Sequence, residues 1–68
     1  RERDELEAWV RQGVMSADDR DALWAWVQCP SGRDDLPAWK RLLTQLDFRD
    51  PRRSLAAARV RSLRAAFA

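Results

Sequence analysis

Residues 38–46 read Ala-Trp-Lys-Arg-Leu-Leu-Thr-Gln-Leu, and this stretch decides the fold class. Its apolar side chains recur at i, i+3, i+4 and i+7, which places them on one face of an α-helix; they are Trp39, Leu42, Leu43 and Leu46. Pro37 stands just before the stretch, and proline is tolerated in the first turn of a helix. The pattern predicts a helix that opens at Asp34-Asp35 and whose apolar face extends to Phe48.

The first residues of the chain carry a similar pattern over about residues 2–12. Leu6, Trp9 and Val10 stand at i, i+3 and i+4, so they share one face of a helix. Gly13 follows directly, and glycine readily adopts the positive φ that often ends a helix. We therefore expect a first helix that stops at Gly13.

A second helix is predicted to begin after Ser16, because serine is a preferred N-cap residue and Asp19 stands three positions later. It should end at Cys29-Pro30, since the residue before a proline is disfavoured in the helical region. Trp24 and Trp26 point about 160° apart on this helix. A small core covers both with difficulty, so Trp24 is expected at the surface as an anchor for a partner.

The fourth predicted helix covers about residues 51–67 and starts at Asp50-Pro51, again an N-cap residue followed by proline. Its apolar residues are spaced by 4, 3 and 4, which makes a narrow line like the seam of a coiled coil; they are Ala56, Val60, Leu63 and Phe67. No stretch of the chain alternates apolar and polar residues over the length of a strand. The sequence predicts an all-α fold, a small bundle of three to four short helices.

Composition limits the size and the chemistry of this bundle. The chain has 68 residues, which is enough for one domain (1–68) and no second core. It contains no histidine and one cysteine, so the common zinc sites and the histidine-dependent catalytic dyads cannot form within it. The acidic pairs Asp18-Asp19 and Asp34-Asp35 stand at helix starts, where capping explains them. We predict no enzyme activity, no cofactor and no metal.

Tryptophan supplies much of the expected core. A domain of this size without disulfides or metals rarely gains more than about 3–5 kcal/mol from its core. Four tryptophans in the chain offset that limit, because each can bury a large apolar area. We expect Trp9, Trp26 and Trp39 to lie in the core.

Charge divides the chain into two parts. Residues 1–47 hold seven basic and ten acidic side chains, whereas residues 48–68 hold six arginines and one aspartate. An acidic helical body (1–47) thus carries a basic last helix. Such an asymmetry indicates an interaction with another macromolecule.

Arg52 and Arg53 make the last helix the candidate interaction surface. Positive charge in the first turn opposes the helix dipole, so local stability does not explain these two arginines. They could contact the acidic body at Asp18, Asp19 or Asp34, bind a phosphate at the helix N-terminus, or face an acidic protein partner. An apolar line flanked by arginines suits docking into an apolar groove with an acidic rim. The predicted partner-binding residues are Trp24, Arg52, Arg53, Arg59, Val60, Leu63, Arg64 and Phe67.

Three other interpretations of the basic helix remain open. Its arginines are equally consistent with an ordinary solvated face around a core stripe. The helix could instead pair with its own copy, which would make the chain a homo-oligomerisation module. Nucleic-acid binding would use the same arginines as phosphate contacts, but the acidic body would repel a duplex. We therefore expect a protein partner rather than a nucleic acid.

Several residues resemble a known family. The motifs Ala8-Trp9, Gly13, Ser16-x-x-Asp19, Trp26, Pro30 and Ala38-Trp39 are similar to the N-terminal cytoplasmic domain of FecR-like sigma-factor regulators. The resemblance covers roughly residues 5–46. In particular, the ten-residue interval from Ser16 to Trp26 matches that family.

This resemblance implies an anti-sigma function. It implies a helical bundle that binds an extracytoplasmic-function sigma factor in the cytoplasm, through helix packing and arginine salt bridges. It also implies that the full protein continues past Ala68 to a membrane span, so the only contact with a membrane would lie outside this chain. The first residue is Arg1, which we interpret as the start of a fragment.

Overall fold

A computed structural model describes residues 1–29, 32–44 and 51–67 of the chain. Within these ranges the backbone forms no strand, and its helices are α1 (Glu2–Arg11), α2 (Ala17–Val27), α3 (Pro37–Thr44) and α4 (Pro51–Phe67). The prediction of a small all-α bundle is confirmed. None of these helices is both long enough and apolar enough to cross a membrane.

Helices α2 and α4 form the centre of the bundle. Each of them packs against the other and against both α1 and α3. Over the described ranges α1 and α3 do not contact each other, because they lie on opposite sides of the central pair. Helix α4 thus contacts all three other helices, and its remaining side is open to solvent.

Helix α1 ends as its sequence predicts. Gly13 has a φ of 76°, and its N–H donates to the carbonyl of Val10 at 3.0 Å. The N–H of Val14 donates to the carbonyl of Trp9, also at 3.0 Å, and the Val14 side chain is buried. This is a Schellman-type ending, which satisfies two carbonyls of the last turn and directs the chain into α2.

The start of α2 is also as predicted. The hydroxyl of Ser16 accepts a hydrogen bond from the N–H of Asp19 at 3.0 Å. The Asp19 carboxylate accepts hydrogen bonds from Arg41 of α3. Asp19 thus joins two helices. The helix ends at Val27, and the predicted stop at Pro30 falls on a residue outside the described ranges.

The start of α3 differs from the prediction. The helix begins at Pro37, and Leu36 is the residue whose carbonyl accepts the first helical hydrogen bond, from Lys40 at 3.0 Å. Asp34, which we expected to open the helix, bonds to Arg64 of α4. Leu46 and Phe48, predicted to continue the apolar face of this helix, lie outside the described residues. So does Asp50, predicted to start the next helix.

The core consists of apolar side chains from all four helices and from the α1–α2 loop. Its largest fully buried members are Leu6, Leu23, Val27 and Val60. Trp26 and Trp39 are buried as predicted, and their rings lie 5.4 Å apart. The prediction that Trp9 lies in the core is corrected, since its side chain is only partly buried and packs against the edge of the core. It lies on the side of α1 that faces an open groove beside α4.

Candidate functional site

The apolar line of α4 belongs to the core of its own chain. Val60 is 0% exposed and Leu63 is 4% exposed, and both pack with Ala56 against the other helices. We expected these two residues to contact a partner, and their burial corrects that expectation. In this small bundle the line of α4 is needed to cover α2, so it is not available at the surface.

Arg59 of α4 forms an ion pair with Glu5 of α1. Its Nη2 donates to Oε1 of Glu5 at 2.8 Å, and its Nε donates to the other carboxylate oxygen. The hydrogen bonds from Arg59 lower the pKa of Glu5, and those to Glu5 raise the pKa of Arg59. This pair ties the first helix to the last.

Arg64 connects α4 to the loop between α2 and α3. Its guanidinium lies 3.9 Å from the centre of the Trp26 ring, and it donates to the Asp34 carboxylate and to the carbonyl of Gly32. The Trp26 indole N–H donates to the carbonyl of Arg33 at 2.7 Å. The Arg64 side chain is only 15% exposed, whereas its partner Asp34 is 85% exposed, so the stacking on Trp26 and the bond to Gly32 are more shielded from water than the ion pair.

These contacts show what the arginine-flanked line of α4 does in the folded chain. The sequence pattern suggested docking into an apolar groove with an acidic rim. The other helices of the same chain provide that groove, and Glu5 and Asp34 are two carboxylates of its rim. The contacts of Arg59 and Arg64 are therefore made within the chain.

The two arginines of the first turn lie on different sides of α4. Nη1 of Arg52 donates to the carbonyl of Gln12, at the end of α1, over 3.3 Å. Arg53 lines a polar cavity of about 540 Å³ beside the start of α2, together with Asp18, Asp19 and Arg41. Both therefore lie near other parts of the same chain.

Two aromatic residues of the predicted set remain near the surface. Phe67 is 45% exposed, and Trp24 is partly buried. Their rings meet edge to face with centres 6.3 Å apart. Phe67 was predicted to continue the apolar line of α4. The buried part of that line ends at Leu63, one turn earlier, so Phe67 is not buried with it.

An open groove lies between α1 and α4. It has a volume of about 600 Å³ and a predominantly apolar lining. Leu55 stands at its edge and is 60% exposed, the most exposed large apolar side chain in the described chain. The lining residues are Glu5, Ala8, Trp9, Gln12, Leu55, Ala58, Arg59 and Ser62.

Sequence reasoning missed this α1–α4 groove. The signal was present, since Leu55, Ala58 and Ser62 are spaced by 3 and 4 and form a second line on α4. The first line, through Val60 and Leu63, is more apolar, so the apolar face of α4 was assigned to it. Only the packing of the bundle shows that the second line faces a partly exposed tryptophan.

The ion pair at this groove predicts an acid-sensitive contribution to stability. Because the pKa of Glu5 is lower in the folded chain than in the unfolded chain, its contribution is fully present above the ordinary glutamate range. It is lost as the pH falls through the lower pKa of the folded state. The free energy of unfolding, measured with urea, should therefore fall less steeply below about pH 4.5 in Glu5→Gln than in the original chain.

A double variant provides the control for this expectation. In an Arg59→Gln background the cause of the pKa shift is gone, so adding Glu5→Gln should change the pH dependence little. The effect should be small, because both side chains of the pair are about 40% exposed to water, at 42% and 41%. Equal effects of Glu5→Gln in both backgrounds would show that Arg59 does not cause the shift.

The described residues contain no group of three or more His, Cys, Asp or Glu side chains arranged to hold a metal ion. The features that stand out chemically are therefore the apolar groove, the surface aromatic pair and the arginine contacts. Together with the helices, they define a small all-α domain with a groove between its first and last helices.

A family model matches most of this chain. The model describes the third C-terminal helical domain of YTH3-like proteins, and it matches residues 19–68. The chain belongs to this family. No curated protein and no solved structure matches the chain.

The matched region begins inside α2. It covers the rest of α2, all of α3 and all of α4, whereas α1 and the loop after it precede the match. One wall of the α1–α4 groove therefore lies inside the family region, and the wall with Trp9 lies before it. The family description concerns the helical domain, and the resemblance to FecR-like regulators rests separately on the motifs given above.

Proposed function

We propose that this chain is a non-enzymatic protein-binding module that receives one helix of a partner protein in the α1–α4 groove. The observation that carries the proposal is Leu55, a large apolar side chain that is 60% exposed at the edge of an apolar groove. Exposed apolar side chains around a groove, rimmed by polar residues, can mark a site of protein interaction.

The shape and chemistry of the groove suit an amphipathic helix. Two roughly adjacent helices form its walls, and a helix with apolar residues at i, i+3 or i+4, and i+7 can lie between them. Trp9 contributes a large ring to one wall, and partly buried tryptophans are frequent anchors of binding energy. The Glu5–Arg59 pair provides polar groups that can fix the orientation of a ligand helix.

A sigma factor of the extracytoplasmic-function class is the partner that we propose. The support is the resemblance of Ala8-Trp9, Ser16-x-x-Asp19 and Trp26 to FecR-like regulators. In such a complex the chain would act in the cytoplasm as an anti-sigma domain. The family match to YTH3-like proteins does not bear on the choice of partner.

A nucleic acid is a less suitable partner. Arg59 and Arg64, two of the arginines that would contact phosphates, already bond to carboxylates of the chain. Their positive charge is thereby partly neutralised, which weakens the electrostatic attraction on which duplex binding depends. A protein partner agrees better with the apolar character of the groove.

The proposal is tested by calorimetric titration of the chain with purified extracytoplasmic-function sigma factors. Leu55→Lys should weaken binding at least tenfold, because it removes an apolar contact and brings a charge into the groove. The matched control is Ala25→Lys, on the exposed face of α2. It should bind like the original chain.

Two outcomes would count against the proposal, and they differ. Equal affinities of Leu55→Lys and the original chain would show that the groove is not the binding surface. Failure of every sigma factor to bind would overturn the choice of partner. Circular dichroism of both lysine variants should show unchanged helix content, since both positions are exposed in the folded chain.

A further inference from the structure

We infer that the α1–α4 groove also accepts a second copy of this chain, and that the two copies pair through antiparallel α4 helices. This self-association deepens the proposed function, and it rests on that function in one respect: the second copy covers the groove in which the partner helix would bind. Pairing would therefore compete with partner binding. The pairing itself is a property of the isolated chain.

The open side of α4 has the spacing of a helix-pairing seam. Leu55, Ala58, Ser62 and Ala65 follow one another at intervals of 3, 4 and 3, the heptad spacing of packed helices. All four are exposed in the described structure, and the first three line the groove. We call these four residues the outer seam.

The sizes of the side chains in the outer seam favour a second copy as the occupant. The seam is bulky at one end, where Leu55 stands, and small at the other end, where Ala65 stands. In an antiparallel arrangement, Leu55 of each copy lies opposite Ala65 of the other, and Ala58 lies opposite Ser62. A two-fold symmetric interface requires such self-complementarity, because both copies present the same surface.

The helix dipole favours the antiparallel over the parallel orientation, although α4 itself carries five arginines and no carboxylate. Arg52 lies in the first turn of α4, where positive charge opposes the helix dipole. In the antiparallel pair, Arg52 lies beside the last turn of α4 of the second copy, where the dipole favours a cation. Its hydrogen bond to the carbonyl of Gln12 holds it at the corresponding end of the groove. A parallel pair would instead bring the basic first turns of both helices together.

Sedimentation equilibrium of the isolated chain tests the pairing. Between protein concentrations of about 10 µM and about 1 mM, where weak complexes form, the apparent molecular mass should rise from 7.9 kDa towards twice that value. Leu55→Lys should remain a monomer at every concentration, and the matched control Ala25→Lys should behave like the original chain. A monomeric original chain, or a dimer that tolerates Leu55→Lys, would overturn the inference.

Disulfide trapping tests the orientation. Leu55→Cys and Ala65→Cys chains, both in a Cys29→Ser background, are mixed and oxidised. An antiparallel pair should give mainly the mixed Leu55→Cys/Ala65→Cys product, because identical positions are then about 15 Å apart, beyond the reach of a disulfide. A preference for products between identical positions would overturn the antiparallel arrangement.

These results separate the failure of this inference from the failure of the proposed function. A chain that stays monomeric but binds a sigma factor through Leu55 would retain the proposed function and lose the self-association. A chain that forms the predicted dimer but binds no sigma factor would retain the self-association and lose that partner. Where both hold, adding the sigma factor should dissociate the dimer.

Discussion

Replacing Trp26 by alanine is expected to leave the chain largely unfolded at 25 °C. The Trp26 ring packs against Trp39, carries the Arg64 guanidinium on its face and donates its indole N–H to the α2–α3 loop. Truncating a buried tryptophan costs about 3–5 kcal/mol. This is comparable to the whole stability expected of a bundle of this size, about 3–5 kcal/mol.

Urea unfolding followed by far-ultraviolet circular dichroism measures this effect. The matched control is Trp24→Ala on the same helix, where the ring is only partly buried. It should cost less than half as much and leave the helices formed in the absence of urea. If Trp26→Ala and Trp24→Ala were equally stable, Trp26 would not have the central position that its contacts indicate.

Replacing Arg64 by alanine should destabilise the chain by about 2 kcal/mol. Most of this comes from the guanidinium on the Trp26 ring and its hydrogen bond to the Gly32 carbonyl, because the Asp34 carboxylate is exposed and its ion pair adds little. Arg64→Lys should recover only part of this, because lysine keeps the charge but cannot stack flat on Trp26 while donating to both Asp34 and the Gly32 carbonyl. The urea midpoints of both variants provide the measurement.

Arg61→Ala is the matched control for Arg64, since both arginines lie in α4 near a tryptophan. The Arg61 guanidinium is 5.7 Å from the centre of the Trp39 ring, and the residue is exposed. Its removal should change the stability by about 0.5 kcal/mol or less. Similar losses for Arg61→Ala and Arg64→Ala would show that the contacts of Arg64 with Trp26 and Gly32 contribute little.

The role of Arg64 affects how a binding surface on α4 can be mapped. Reversing the charge of Arg64 would break its contact with Asp34 and disturb the packing of Trp26. A loss of partner binding in such a variant would therefore report a damaged fold as readily as a damaged surface. Leu55 is a better position to change, because it is exposed and its replacement leaves the core intact.

The parts of the fold that depend on neighbouring residues were predictable from the sequence. Gly13 ends α1 because the required positive φ is a local property of glycine. Ser16 starts α2 because its hydroxyl reaches a backbone N–H three residues away. Each signal acts within one turn of helix, so it can be read without knowledge of the bundle.

The fate of the arginines in α4 was not predictable in this way. The helical wheel places arginines on both sides of the apolar line, but it does not show what faces them. Arg59 pairs with a carboxylate 54 positions away, and Arg64 with one 30 positions away. The same pattern suits docking onto another protein or onto the chain itself, and only the packing of the helices distinguishes these possibilities.

The α1–α4 groove was even less predictable from the sequence than the arginine contacts, because it depends on how two helices pack. Trp9 was expected in the core because its spacing relative to Leu6 places it on the apolar face of α1. The structure leaves its ring partly exposed, since the Glu5–Arg59 pair joins α1 to α4 while the groove beside Trp9 stays open between them. Such an opening arises from the relative positions of two helices at opposite ends of the chain.

The most direct test of the groove as a docking surface is a two-dimensional ¹⁵N NMR titration. The labelled chain is mixed with increasing amounts of an extracytoplasmic-function sigma factor, and separately with unlabelled chain. Our account predicts that the indole signal of Trp9 and the amide signals of Ala8, Ala58 and Ser62 shift, while the indole signal of Trp39 stays in place. Shifts confined to α3 or to the Trp24–Phe67 pair, with the Trp9 signal unchanged, would contradict it.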